Sequence, residues 1–244
     1  MKNIIVIAVI TITSILIISL TYLNRYAFIT STSTIETTGL GSVDFESNHI
    51  VWEGSFVREN STLVDAYAAL TKDREIVLNY LMEQGISKEE IVFGSVSTSD
   101  LTENVYNDEG NRIGDNFLGY HLRQEVKIES DNIELVESAS RLITDVLNSG
   151  VEFYSYEPRY YFTKLKDLKL DLLSKATEDA KTRATIIANE AGADIGKLIS
   201  AEMGILQIVG QYSDDEYSWG GTFNTTSKLK TASITIDLRY EIEN

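Results

Sequence analysis

Leu173, Ala176, Ala180, Ala184, Ile187 and Ala191 recur at spacings of three and four, and they narrow the choice of fold more than any other part of the chain. That period sets them on one stripe of a helix, while Glu178, Asp179, Lys181 and Arg183 face elsewhere. Most of the stripe is alanine, and side chains that small let a helix lie close against a sheet. A core helix within Leu165–Leu198, packed on strands and stopped by Gly192 and Gly196, is therefore expected. Nothing in it is chemistry.

Charge removes two classes of partner. The chain has 37 acidic and 21 basic residues. The first 25 residues hold only Lys2 and Arg25, leaving 19 basic and 37 acidic residues beyond them, a formal charge of about −18. Nucleic acid and anionic lipid headgroups are held through Lys and Arg, so neither is an expected partner. With no cysteine there is no thiol catalysis, disulfide or thiolate metal site.

From Ile4 the residues run apolar or Ser/Thr to Leu23, and Asn24 and Arg25 end the run. Some 20 residues at 1.5 Å rise match the roughly 30 Å of a bilayer's hydrocarbon core. A transmembrane anchor over residues 1–25 is expected, partnering the chain with a membrane. A cleaved signal peptide is the alternative, although Tyr22, Leu23 and Tyr26 crowd the place of its small-x-small site. Either way the following domain is expected on the extracytoplasmic side of the inner membrane. It stands there anchored, or is secreted to the periplasm if the segment is cut. Residues 26–34 read as a Ser/Thr linker, and 35–244 as the domain.

Along that domain Ile50, Trp52 and Phe56 alternate in a strand over 48–57. Ser61 is the expected N-cap of a helix to Gln84 that carries Leu63, Tyr67, Leu70, Val77 and Leu81. A strand over 91–99, the turn cluster Asn107-Asp108-Glu109-Gly110-Asn111 and a strand over 117–128 form a hairpin. A second helix spans 133–147. Pro158, the only proline, marks an edge or bulge in the aromatic stretch 151–163. After the alanine helix come a strand over 198–209, a polar loop over 211–228 and a final alternating strand over 231–242. The exits Gln84-Gly85-Ile86 and Ser149-Gly150-Val151 hint at a duplicated helix-to-strand unit. The order predicts an α+β fold: an antiparallel or mixed sheet packed with three long helices, behind one N-terminal transmembrane helix.

Four features in this order resemble the SIMPL-domain family over about Ile35–Glu243. They are Gly39-Leu40-Gly41, the helix leading to Gly85-Ile86 with Glu90-Ile91 after it, Gly119-Tyr120 opening a strand, and the alanine ladder closing in Gly192 and Gly196. Relatives often carry Pro-Asp before the first long strand, where this chain has Ser47-Asn48-His49. The resemblance implies a bacterial cell-envelope protein, periplasmic or surface-associated, with an α+β domain that can self-associate into ring-like assemblies. It brings no enzymatic activity, cofactor or catalytic residue. The family's namesake is a mammalian signalling adaptor that binds a kinase, a role not carried to a chain with an apolar N-terminal run.

Taken on their own, the residues offer little chemistry. His49 and His121 are the only histidines, far apart and both in strand settings, so a two-histidine metal site needs both to converge with a carboxylate. A Ser or Thr triad would need one of the same histidines and has no G-x-S-x-G elbow. Tyr160-x-x-x-Lys164 has the spacing of a short-chain dehydrogenase pair but lacks a dinucleotide loop. Asn107-Asp108-Glu109 lacks the upstream alternation of a calcium loop, and Asp214-Asp215-Glu216 is a solvated charge run that leaves loose calcium binding open. No catalytic, cofactor-binding or metal residue is assigned. The expected function is a non-enzymatic, membrane-tethered envelope protein acting through homo-oligomerisation or a protein partner. The alternative is an envelope hydrolase or oxidoreductase with a deep pocket of convergent, pKa-shifted groups.

The expected assembly contact is the loop 211–228, where Tyr212, Tyr217, Trp219 and Phe223 interrupt polar residues and Gly220-Gly221 permits a sharp turn. Its aromatics either fold back as a lid or fill a pocket on a neighbouring subunit.

Overall fold

The computed structural model describes residues 12–22, 33–214 and 218–243. They fall into two compact units. One comprises residues up to Ser42, Leu170–Leu206 and Ser233 onward; the other comprises Val43–Lys169 and Gln207–Ala232.

The first unit is built on β1 (Thr34–Glu46), β7 (Asp194–Met203) and β9 (Leu229–Glu243), in the order β1-β9-β7. Along β9 the inward face runs through Ile234, Ile236, Leu238 and Tyr240, each buried at every second residue. Helix α4 (Leu165–Glu190) buries Leu172, Ala176, Ala180, Ala184 and Ala188. The buried spacing is a strict four, so Ile187 and Ala191, expected on the stripe, stand exposed and Ala188 takes the place between them. Residues four apart form a ridge inclined by about 26° to the helix axis, and a strand crossing obliquely meets that ridge alone. The strand is β1, whose inward residues Thr37, Gly39 and Gly41 are as small as the alanines. A Cβ on Gly39 would lie 2.1 Å from the carbonyl oxygen of Ala176, and one on Gly41 2.1 Å from that of Leu172. Thr37 donates its hydroxyl to Ala180 O at 2.9 Å, and Leu40 N–H donates to Asp179 Oδ2 at 2.9 Å.

The second unit holds a five-stranded antiparallel sheet, β3 (Ile91–Tyr106), β4 (Arg112–Ser130), β2 (His49–Asn60) and β5 (Glu152–Ser155) in that order, with β6 (Arg159–Tyr161) also on β2. On β2 and β4, Trp52 faces Ile128 across the ladder and Phe56 faces Gln124. Helix α2 (Leu63–Glu83) covers them with Ala66, Leu70, Val77 and Leu81, and helix α3 (Ile133–Leu142) with Ile133, Val136 and Ala139. Asp73 lies on the same buried stripe of α2, where Arg58 of β2 donates to both its oxygens. The cap of α2 is Thr62, one residue after the expected Ser61; its hydroxyl accepts from Asp65 N–H at 3.2 Å. The two expected matching exits are the same cap twice. Gly85 (φ +98°) and Gly150 (φ +77°) are followed by buried Ile86 and Val151, which donate back to Leu81 O and Val146 O. Beyond Asp100, where β2 ends opposite Tyr120, the β3–β4 hairpin continues as a two-stranded arm with both faces largely in solvent, closed by the expected 107–111 turn. There Asn107 Oδ1 accepts from the N–H groups of Glu109 and Asn111.

Three expectations are corrected. The described part of the apolar N-terminal run is a helix, α1, over residues 12–22; the rest falls in 1–11 and 23–32, outside the described residues. Among the described residues no helix is long and apolar enough to cross a membrane. The transmembrane helix, and the membrane as a partner held through it, are therefore not supported. The α+β class stands, with four α-helices among the described residues, but not three long ones: α2 has 21 residues, α4 has 26 and α3 only 10. After Leu142 the chain tightens into a 3-10 helix, Ile143–Ser149. Its buried Ile143 and Val146 are three apart, the spacing that a 3-10 turn aligns on one side. The expected strand over 198–209 is also two strands, β7 and β8 (Gln207–Gly210), broken at Gly204.

Candidate functional site

Within the second unit one small cavity, about 140 Å³, is walled by aromatics. Pro158 separates β5 from β6, and the chain re-pairs with β2 so that Tyr160 and Tyr161 oppose Ile50 and His49. Tyr160, Tyr161, Phe162 and Leu165 form one wall, with Phe45 packed on Phe162 at a ring-centroid distance of 4.7 Å. Ile208 of β8 and the segment Phe223–Thr225 form the opposite wall. They are joined by main-chain bonds: Ile208 N donates to Thr222 O at 2.7 Å and Asn224 N to Ile208 O at 2.9 Å.

Lys230 lines this cavity. It is 2 % exposed, and among the described residues it is the only buried lysine or arginine. Its place follows from β9, where Lys230, Ala232, Ile234, Ile236, Leu238 and Tyr240 occupy every second position on the buried face. A lysine stands where the alternation calls for an apolar residue. Its ammonium donates to two neutral acceptors, Tyr160 O at 2.7 Å and Asn224 O at 2.5 Å. Burial disfavours the charged form and lowers the pKa to about 8. Tyr160 moves the other way, to about 12, because burial and then its hydrogen bond to Glu137 Oε1 at 2.8 Å both resist ionisation. The two shifted groups do not form a pair: the hydroxyl of Tyr160 serves Glu137, and Lys230 meets only its carbonyl.

The aromatic loop supplies part of this cavity's wall through Phe223–Thr225. Gln207 ties the two sides of its 218–222 tip, donating to Ser218 O at 2.7 Å and accepting from Thr222 N at 2.8 Å. At the tip Trp219 is 97 % exposed, and Tyr212, at φ +62°, is also 97 % exposed. Phe223 alone reaches the cavity; Tyr217 lies outside the described residues, as do Asp215 and Glu216 of the acidic run.

The remaining sequence candidates are dispersed. His49 Nδ1 pairs with Asp131 at 2.8 Å and His121 Nδ1 with Glu59 at 2.9 Å, at opposite ends of β2, some 30 Å apart by strand rise. Lys164 is exposed and does not meet the Tyr160 hydroxyl. The residue missed from sequence is Lys230. Its signal was the period of the last strand, which extends one step further back than the stretch 231–242.

An antiparallel α+β protein with an aromatic cavity partly walled by an exposed loop is the class that this geometry defines. The chain belongs to the SIMPL family, described as a protein of unknown function (DUF541), whose model matches residues 35–237. No curated protein matches it. Among solved structures it is similar to an amidase of the hydantoinase/carbamoylase family from Burkholderia phymatum, at 11% identity and a TM-score of 0.28, over 57% of this chain and 35% of that one. The chain thus spans about a third of that amidase's length. It is also similar to an uncharacterized conserved protein from Listeria innocua, at 9% identity and a TM-score of 0.22, over 83% of this chain and 92% of that one. The designed protein Foldit4 matches at 17% identity and a TM-score of 0.19, over 44% of this chain and 93% of that one. Superpositions this loose carry no argument.

Proposed function

We propose that this chain is a non-enzymatic cell-envelope protein that works by association, with copies of itself or with a protein partner, through the loop 211–228. The observation behind this reading is Trp219, held 97 % exposed at a loop tip, 218–222, whose two sides are fixed by one glutamine side chain. An indole of about 200 Å² left in water contributes about 5 kcal/mol when a partner covers it, before the costs of association. The left-handed backbone at Tyr212 adds about 1 kcal/mol of strain at a second exposed aromatic. A position held at such a cost is the ordinary setting of an interface anchor. The non-enzymatic half of the reading is supported by Lys230 and Tyr160, which are pKa-shifted but serve separate partners. Export rests on the apolar run from Ile4.

The test is the mass of the full chain by light scattering, for wild type and for Trp219→Ala. A discrete oligomer that loses mass on substitution, with its thermal melt unchanged, is the expected result. A monomeric wild type without a partner complex, or an oligomer indifferent to Trp219, defeats the reading.

A further inference from the structure

Two charged side chains are buried among the described residues, Asp73 and Lys230, and only the first is matched. Asp73, 1 % exposed, has Arg58, which bonds both its oxygens and also Gly150 O at 2.6 Å. Lys230 has nothing equivalent. Its two bonds go to neutral carbonyls, and it forms no ion pair among the described residues. No carboxylate lines the cavity among the described residues, and three on the elements around it have their own partners: Glu137 with the hydroxyl of Tyr160, Glu46 with Lys228 at 3.1 Å, and Asp44 with the hydroxyl of Thr231 at 2.6 Å. An ammonium carries three N–H donors, so one remains after the two carbonyls. A buried unpaired charge is costly, and removing water from a site strengthens whatever counter-charge enters it.

The rest of the cavity says what else such a counter-ion must carry. Phe45, Phe162, Tyr161, Ile208 and Phe223 present ring and aliphatic surface, with only Asn224 and Thr225 polar beside them. We propose that this cavity is a binding site for a small apolar monocarboxylate, a single-ring or branched aliphatic acid, whose carboxylate pairs with the Lys230 ammonium while its apolar body fills the aromatic walls. A dianion such as phosphate suits it less, because one ammonium donor cannot satisfy it and the formal charge of −16 on the chain repels it more strongly. A volume of about 140 Å³ excludes long-chain acids. The cavity shares Phe223–Thr225 with the aromatic loop, but its charge at Lys230 and its other walls lie outside the loop, and Trp219 does not line it.

Binding stabilises the protonated amine, so it requires Lys230 in its charged form. The experiment titrates benzoate, and separately benzamide as its neutral isostere, into the full chain by isothermal calorimetry at pH 7 and pH 9. Expected is saturable binding of benzoate at pH 7, about tenfold weaker at pH 9 as an amine titrating near 8 loses its proton. Benzamide should bind at least tenfold more weakly than benzoate at pH 7. Lys230→Met, which keeps the volume and removes the charge, should abolish the preference for benzoate. Equal binding of the two ligands, affinity unchanged between the two pH values, or no benzoate binding at millimolar concentration overturns the proposal. These three readouts use wild type alone, so they decide the matter even if the variant fails to fold.

Discussion

Both units cover a sheet with a long helix, but they do it by opposite means. On α4 the contact is five small-spaced positions, four of them alanine, against Thr37, Gly39 and Gly41. On α2 and α3 it is Leu70, Val77, Leu81 and Ile133 against Trp52, Phe56 and Ile128. The first arrangement gains from closeness: backbone approaches backbone, and hydroxyl and main-chain bonds such as Thr37 to Ala180 cross the contact. The second gains from bulk and the apolar area that bulk removes from water. Each is therefore intolerant of the change that the other absorbs: α4 cannot take added atoms, and the larger core cannot lose them.

The largest effect expected from this contrast is at Gly39. Replacing it with valine places a Cβ 2.1 Å from Ala176 O and 2.4 Å from Ala180 N, atoms that cannot yield without moving the helix. Gly39→Val should give no soluble folded protein, and so should Ala184→Glu, which buries an unpaired carboxylate in a methyl-sized space. Soluble yield and far-ultraviolet circular dichroism decide it. A folded Gly39→Val with an unshifted melt would remove the closeness half of the contrast. Next in size is Trp52→Ala, which empties a fully buried indole site and should cost about 3–5 kcal/mol in urea unfolding, a large share of a typical stability of about 5–15 kcal/mol, yet leave a foldable chain. A cost below about 1 kcal/mol would show that the larger core collapses onto cavities as easily as a surface. The smallest is Glu178→Ala on the exposed side of α4, expected to lie within about 0.5 kcal/mol of wild type. A greater loss would mean that α4 is covered on that side too.

The same contrast explains what could be read from the residues in advance. The large core was legible because bulky apolar side chains at periods of 2 and 3.6 are a strong pattern, and Trp52, Phe56, Leu70 and Val77 all fall where the periodicity puts them. The alanine ridge was legible in outline, yet its register slipped at Ile187, since apolarity favours isoleucine while the space admits only Ala188. β1 was hidden. Its inward residues are Thr37, Gly39 and Gly41, so there was no apolar alternation to find, and its first residues look like a linker. The glycines were noticed as a family feature, but what they are for is set by the helix 140 residues later. Helix length failed at Leu142 because an α-helix and a 3-10 turn both read as spacings of three and four. Of the site, the aromatic loop was visible by composition. Lys230 was not, because a lysine near a strand's start normally reads as a solvated end, and its burial depends on Tyr160 and Asn224, brought from 70 and 6 residues away.

The strand order β1-β9-β7 sets a timetable for the growing chain. The central strand of that sheet is the last to be made, and Glu36 waits 203 residues for Arg239. Until the segment from Ser233 onward has been synthesised, β1 and β7 have no neighbour between them, and α4 has only part of the surface that its alanines fit. The five-stranded sheet and its helices, drawn largely from one continuous run, face no such delay. Closing a loop of that length is an entropic cost met only at the end, so the glycine-faced strand spends synthesis as an unpaired edge. Its lack of large apolar side chains, which hid it from sequence reading, also gives a waiting strand little with which to aggregate.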